Sequence, residues 1–143
     1  MRYVSKDEVE YELAMLVRDK LPIKGRVYLS SQRNDSITED AVFVCTALIL
    51  NGCEQEGVIN INIYIPHIND GRNVLVKDTG RVIEVSNMLK DVSDFLVLRN
   101  SRLSAKRKGY VFFERTGIDS YVNEERQETI VKNELNFKYY GRD

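Results

Sequence analysis

The sequence predicts an α+β fold: a single domain over residues 1–143, with a mainly antiparallel sheet packed against two helices in the order α-β-β-β-α-β-β. Three observations predict it. The segment Val58-Ile59-Asn60-Ile61-Asn62-Ile63-Tyr64-Ile65-Pro66 places isoleucine at every second position, the period of a strand with one apolar face. Just ahead of it, Asn51-Gly52 is a hairpin turn signal that returns this strand antiparallel to the apolar run Ala41–Leu50. Two further stretches carry apolar residues at helical spacing: Val9, Leu13, Leu16 and Val17, then Val82, Val85, Leu89 and Val92. Helices with one apolar stripe bury it most economically on one face of such a sheet.

The first helix starts at a capping box, Ser5-Lys6-Asp7-Glu8, with Val4 and Val9 at the positions of a hydrophobic staple. It ends before Leu21-Pro22, and Gly25 marks the turn out. A short strand is expected over Arg26–Ser30. Ser31–Asp40 is polar and turn-rich, with Asn34-Asp35-Ser36, and reads as an exposed loop in which Asp35, Glu39 and Asp40 maintain solubility or offer oxygens to a hard cation. Ala41–Leu50 is apolar on both sides, with Phe43, Cys45, Ala47 and Ile49 opposite Val42, Val44, Leu48 and Leu50. Such a strand is expected in the middle of a sheet, covered above and below. Glu54–Gly57 is a candidate extension of the turn after Asn51-Gly52. Pro66 closes the isoleucine strand, and Arg72–Thr79 connects to a second helix over Arg81–Leu96. Tyr110–Phe113 is expected as a strand and Gly117–Glu125 as a polar turn. The chain then closes on Val131, Asn133, Leu135, Phe137 and Tyr139 alternating with Lys132, Glu134, Asn136 and Lys138, whose charged face is expected to be solvated.

Composition excludes more than it identifies. A hydrophobic fraction of 43%, a charged fraction of 30% and a net charge of -1 are those of an ordinary globule with no overall pull toward nucleic acid or anionic membrane. No apolar run reaches the length of a membrane span, and Met1–Ser5 lacks the apolar core of a signal peptide. Cys45 and Cys53 are the only cysteines and His67 the only histidine, too few for a zinc site; Cys45 reads as a small core residue, in keeping with a reducing cytoplasm. There is no phosphate-binding glycine loop, and no acid two residues before a lysine as in restriction-type nucleases. His67 with Asp70 is the one pairing that resembles a catalytic base, and a solvated loop histidine is the plainer reading. Neither a catalytic residue, a metal site nor a cofactor is expected, and the chain is not read as an enzyme.

Two surfaces are candidates for contact with partners. Asn60, Asn62 and Tyr64 line the face of the isoleucine strand opposite the core, a neutral docking surface whose amides can hydrogen-bond across an interface without desolvating charge. Arg99–Lys108 carries Arg99, Arg102, Lys106, Arg107 and Lys108 and no acid. It can meet phosphates, which makes a small nucleic-acid-binding module the alternative reading, though it lacks the interleaved aromatics that stack single strands. The plainer reading is a solvated loop between helix and strand, and a third is contact with an acidic surface such as the first helix, with Glu8, Glu10, Glu12 and Asp19, in a head-to-tail assembly.

The succession of a capped N-terminal helix, a short strand, a long hairpin ending in Ile-Asn-Ile-Tyr-Ile-Pro, an Asp-Gly-Arg loop, a second helix and two closing strands, the last containing Ile130–Phe137, resembles the tail terminator and tail completion proteins of long-tailed bacteriophages. The resemblance implies a structural virion protein and a homo-oligomeric ring, commonly a hexamer. That ring joins the tail tube to the head connector at the neck of a particle assembled in the bacterial cytoplasm. It implies no catalysis, no cofactor, no membrane, and transient contact with DNA passing through the lumen.

Overall fold

The computed structural model describes residues 3–30, 33, 38–99 and 109–141, excepting the side chains of residues 109 and 115. Helix α1 (Lys6–Val17) begins at the expected capping box: Ser5 Oγ accepts from the Glu8 amide at 3.2 Å, and the Ser5 amide donates to Glu8 Oε1 at 3.3 Å. A short 3-10 turn, Arg18–Lys20, ends the helix before Leu21-Pro22. Strand β1 (Val27–Leu29) then runs parallel to the start of β2 (Asp40–Asn51). The β2 strand turns at Gly52-Cys53, with Gly52 at a φ of 63°, and pairs antiparallel with β3 (Glu54–Pro66). Glu54–Gly57 thus belongs to the strand and does not lengthen the turn, because Asn51 pairs directly with Glu54.

A small antiparallel arm follows, β4 (Ile68–Asn69) with β5 (Leu75–Val76), inside what was expected to be plain connector. Helix α2 (Thr79–Arg99) is longer at both ends than the periodicity suggested; Asp78 caps it, its Oδ1 accepting from the Arg81 amide at 3.2 Å. Strands β6 (Gly109–Asn123) and β7 (Glu128–Gly141) form the last hairpin. The expected turn over Gly117–Glu125 is corrected here. Gly117 through Asn123 pair with Glu134 back to Glu128, and the turn lies at residues 124–127.

The sheet order is β1-β2-β3-β7-β6, so the chain is the α+β fold with its sheet almost wholly antiparallel. Both helices lie on one face. There Val9, Leu13 and Val17 of α1 and Val85, Leu89, Val92 and Leu96 of α2 meet Phe43, Ile59, Ile61, Ile63, Ile65, Val131, Leu135, Phe137 and Tyr139. The odd-numbered isoleucines form the core face, as their alternation requires. Asn133 shares it, fully buried, and its amide donates to Ser93 Oγ at 2.7 Å. Gln55 fixes the chain ahead of α1 by exchanging hydrogen bonds with the amide and carbonyl of Val4 at 2.8 and 2.9 Å.

Among the described residues the helices cover one face only, and the other is buried at the end where Arg33 lies and open at the end where β2 finishes, which corrects the expectation for β2. Its first half is buried, but Ile49 and Leu50 are 60% and 57% exposed. A register shift between Cys45 and Ala47 also makes Thr46 an extra residue. Phe43, Cys45 and Leu48 therefore turn toward the helices, and Ala47 and Ile49 do not share their side. A second shift, between Arg115 and Gly117, makes Thr116 the extra residue of β6. Both bulges adjoin the same row of the sheet, where Ile59 pairs with Leu135. Thr46 Oγ1 donates to the Val58 carbonyl at 3.4 Å, and Thr116 Oγ1 to that of Glu134 at 2.7 Å.

Candidate interaction surface

The helix-free face is built by cross-strand register. Val42, Asn62, Lys132 and Asp119 form one row; Val44, Asn60, Glu134 and Gly117 the next; then Ala47, Val58, Asn136 and Glu114; then Ile49, Glu56, Lys138 and Phe112. Asn60, Asn62 and Tyr64 do share this face. Asn62 and Tyr64 are half-buried, whereas Asn60 is only 4% exposed, so it lies beneath its neighbours and is not the open contact that alternation suggested. The Oδ1 atoms of Asn60 and Asn62 are buried with no hydrogen-bond partner among the described residues. Charge on this face is largely self-paired: Lys132 lies 4.0 Å from Glu134 and Lys138 3.9 Å from Glu56. At the end where β3 begins, Ala47, Ile49, Val58 and Phe112 line an apolar groove of about 310 Å³ bordered by Glu56, Glu114 and Lys138.

The opposite end of the same face holds a buried ionic cluster that the sequence did not announce. Arg33 lies in the presumed exposed loop, yet its side chain is buried. Its Nε is 3.0 Å from Asp40 Oδ2, and its Nη1 and Nη2 donate to Glu128 at 3.3 and 3.0 Å. The guanidinium stacks 4.1 Å from the centre of the Tyr64 ring, and Arg126 Nε approaches Glu128 at 3.4 Å. Burial pushes the Asp40 carboxyl up. Hydrogen bonds from the Arg26 amide, Thr38 and Arg33 outweigh it and hold the carboxyl below its ordinary range. Glu39 behaves alike: burial is opposed by Arg81, which donates to it at 2.6 and 2.8 Å, and by the Lys24 amide at 2.9 Å. Glu39 and Asp40 are therefore structural partners and not loop solubilisers; Asp35 lies outside the described residues. Tyr64 has its hydroxyl pKa raised, first by burial.

Glu10 corrects another expectation. It does not offer acid to a neighbouring molecule but points inward, 2% exposed, accepting from the Cys45 amide at 2.8 Å and from Ser30 Oγ. The Ser30 amide donates to the Phe43 carbonyl at 2.8 Å, and the next inward amide along this edge of β2, that of Cys45, is met by the Glu10 carboxylate instead of by strand backbone.

Of the basic segment only Arg99 lies within the described residues, exposed at the end of α2 with its guanidinium 5.5 Å from the Phe95 ring; Arg102, Lys106, Arg107 and Lys108 lie outside them. His67 does not pair with Asp70. Its amide donates to the Gln127 carbonyl at 2.9 Å, its Nε2 lies 3.5 Å from Thr129 Oγ1, and Asp70 Oδ1 accepts instead from the Arg72 amide at 2.7 Å. Cys45 is buried, and burial, then the nearby Glu10, pushes its thiol up to about 11. Among the described residues no three metal-ligating side chains cluster, and no helix is long and apolar enough to cross a membrane.

No protein-family model matches the chain, and no curated protein resembles it significantly.

Proposed function

We propose that this chain is a structural assembly protein of a phage or phage-derived particle, forming a homo-oligomeric ring, a hexamer in the simplest case, that joins tail tube to head connector. The observation that carries the reading is the open end of the helix-free sheet face, with Ile49 exposed beside an apolar groove. An exposed apolar patch rimmed by polar residues is a feature of contact surfaces. Lys132–Glu134 and Lys138–Glu56 are paired on that face, and Asp119 and Glu114 add negative charge, which suits docking to protein better than binding to phosphates. Within this reading the basic stretch Arg99–Lys108 meets passing DNA or an acidic partner.

Native mass spectrometry and negative-stain microscopy over a concentration series test the reading, alone and with tail tube and connector proteins. Rings are the expected outcome, at high protein concentration or once a tail protein is added. A protein that stays monomeric throughout and binds neither partner would remove the proposal.

A further inference from the structure

The arm between β3 and α2 is held by its own hydrogen bonds. Asn69 Oδ1 accepts from the Gly71 amide at 2.8 Å, Asp70 Oδ1 from the Arg72 amide at 2.7 Å, and the Asp70 amide donates to the Val74 carbonyl at 3.0 Å. Gly71 and Asn73 adopt φ of 90° and 60°, the left-handed values such a tip requires. Yet β4 and β5 pack chiefly on each other, leaving Ile68, Val74, Leu75 and Val76 between 36% and 52% exposed. A hairpin alone is marginal in water, and one that presents this much aliphatic surface is suited to insertion into another surface.

The same chain carries a matching receptor. The groove of Ala47, Ile49, Val58 and Phe112 sits where β3 begins, and the arm leaves where β3 ends. Val58 and Pro66 are separated by eight strand steps, roughly 27 Å at the usual rise of ~3.4 Å per residue. One residue, His67, links β3 to the arm, and its amide is tied to Gln127. The arm cannot fold back that far, so it cannot fill its own groove. On the arm the exposed Arg72 and Lys77 outnumber Asp70, and at the groove Glu56 and Glu114 outnumber Lys138, so a net charge of opposite sign on each side, as well as apolarity, favours a second copy.

We infer that the β4–β5 arm of one copy seats in the sheet-face groove of the next, with Leu75 against Ile49 and Phe112 and Arg72 beside Glu114. Arm and groove are different patches, so the contact is head-to-tail, the type that closes into a ring or runs on as a filament. The inference rests on the self-association in the function proposed above.

Single-cysteine variants test it in a Cys53→Ser background, where Cys45 remains buried. Leu75→Cys and Ile49→Cys proteins are mixed and oxidised. Disulfide-linked pairs joining the two variants are expected, in excess over pairs of either variant with itself. Leu75→Asp should weaken self-association about 30-fold or more by sedimentation, the effect of losing a buried anchor, with an unchanged circular dichroism spectrum. An assembly unaffected by Leu75→Asp, or one giving no mixed cross-link, overturns the arm-in-groove contact while leaving the ring intact. Loss of binding to a tail protein with the assembly preserved overturns the second copy as occupant. A wild-type chain that never self-associates removes the ring reading itself.

Discussion

Arg33 shows how one side chain reverses the character of a segment. Its neighbours in sequence are polar and turn-forming, so local reading places it in water; its partners, Asp40 and Glu128, become visible only when the starts of β2 and β7 are brought to the same end of the sheet, on either side of β3. Glu128 is 95 residues away in the chain, a separation at which pattern carries no information about pairing. Replacing Arg33 by methionine keeps bulk but takes a charged donor from two buried carboxylates, leaving Asp40 to the Arg26 amide and Thr38 and Glu128 to Arg126, and should cost about 2–3 kcal/mol at pH 7. The pH dependence distinguishes this from lost packing. In the native protein Asp40 and Glu39 are held below the ordinary carboxyl value, so their contribution is present above about pH 4 and lost as the pH falls through the lowered values. In Arg33→Met, Asp40 loses one of the donors that offset its burial and takes up a proton more readily, so the deficit should shrink as the pH is lowered toward 4. Urea unfolding at pH 7, 5.5 and 4 measures it; a deficit that does not change with pH would mean the loss is one of packing alone. Asn60 carries a related lesson: alternation assigned its face correctly, while its burial depends on neighbours from β2 and β7 that no single strand reveals.

Strands differ in how openly they declare themselves. The alternation of β3 was legible from Val58 to Pro66 and that of β7 from Val131 to Tyr139, because the two strands lie inside the sheet and pair with each other without a register shift. β6 was half concealed. It is an edge strand, its alternation reverses at the Thr116 bulge, and Gly117, Asp119, Ser120 and Asn123 are residues of turns; pairing with β7 holds them extended nonetheless. The arm was missed because strands of two residues are shorter than any period. Gly57 stands where alternation would put a core side chain. A Cβ there would lie 2.5 Å from the Phe137 ring and 2.6 Å from the Ala47 carbonyl oxygen, so the glycine lets three strands close over that ring. Gly57→Ala should therefore destabilise the protein by about 1–3 kcal/mol through overpacking, even though alanine is no worse a strand former. Thermal or urea unfolding checks the sign: an alanine variant as stable as the parent would show that Phe137 has room to move.

At the scale of the molecule, the two thiols report on different depths of one fold. Cys53 lies exposed in the β2–β3 turn, whereas Cys45 is 4% exposed in the core, with its thiol pushed up to about 11. A disulfide-exchange reagent at pH 8 should react with one thiol per chain within minutes and reach the second only as the whole domain opens. The second rate should rise with urea in step with global unfolding; two thiols reacting together in native buffer would contradict the buried position of Cys45. The architecture and its core face were open to inspection in sequence because each element repeats one pattern many times. The surface was not, since it is defined by what the rest of the chain leaves uncovered. The paired bulges have a consequence of another kind, for how the gene can change. Thr46 and Thr116 are the supernumerary residues of their strands, so losing either would let the ladder close evenly, with every later residue keeping its partner and its side of the sheet. Losing a residue a few places further along either strand would turn the rest of that strand over. The same three-nucleotide deletion would thus be absorbed at a threonine and ruinous nearby, and both tolerant positions lie on a single line drawn across the sheet.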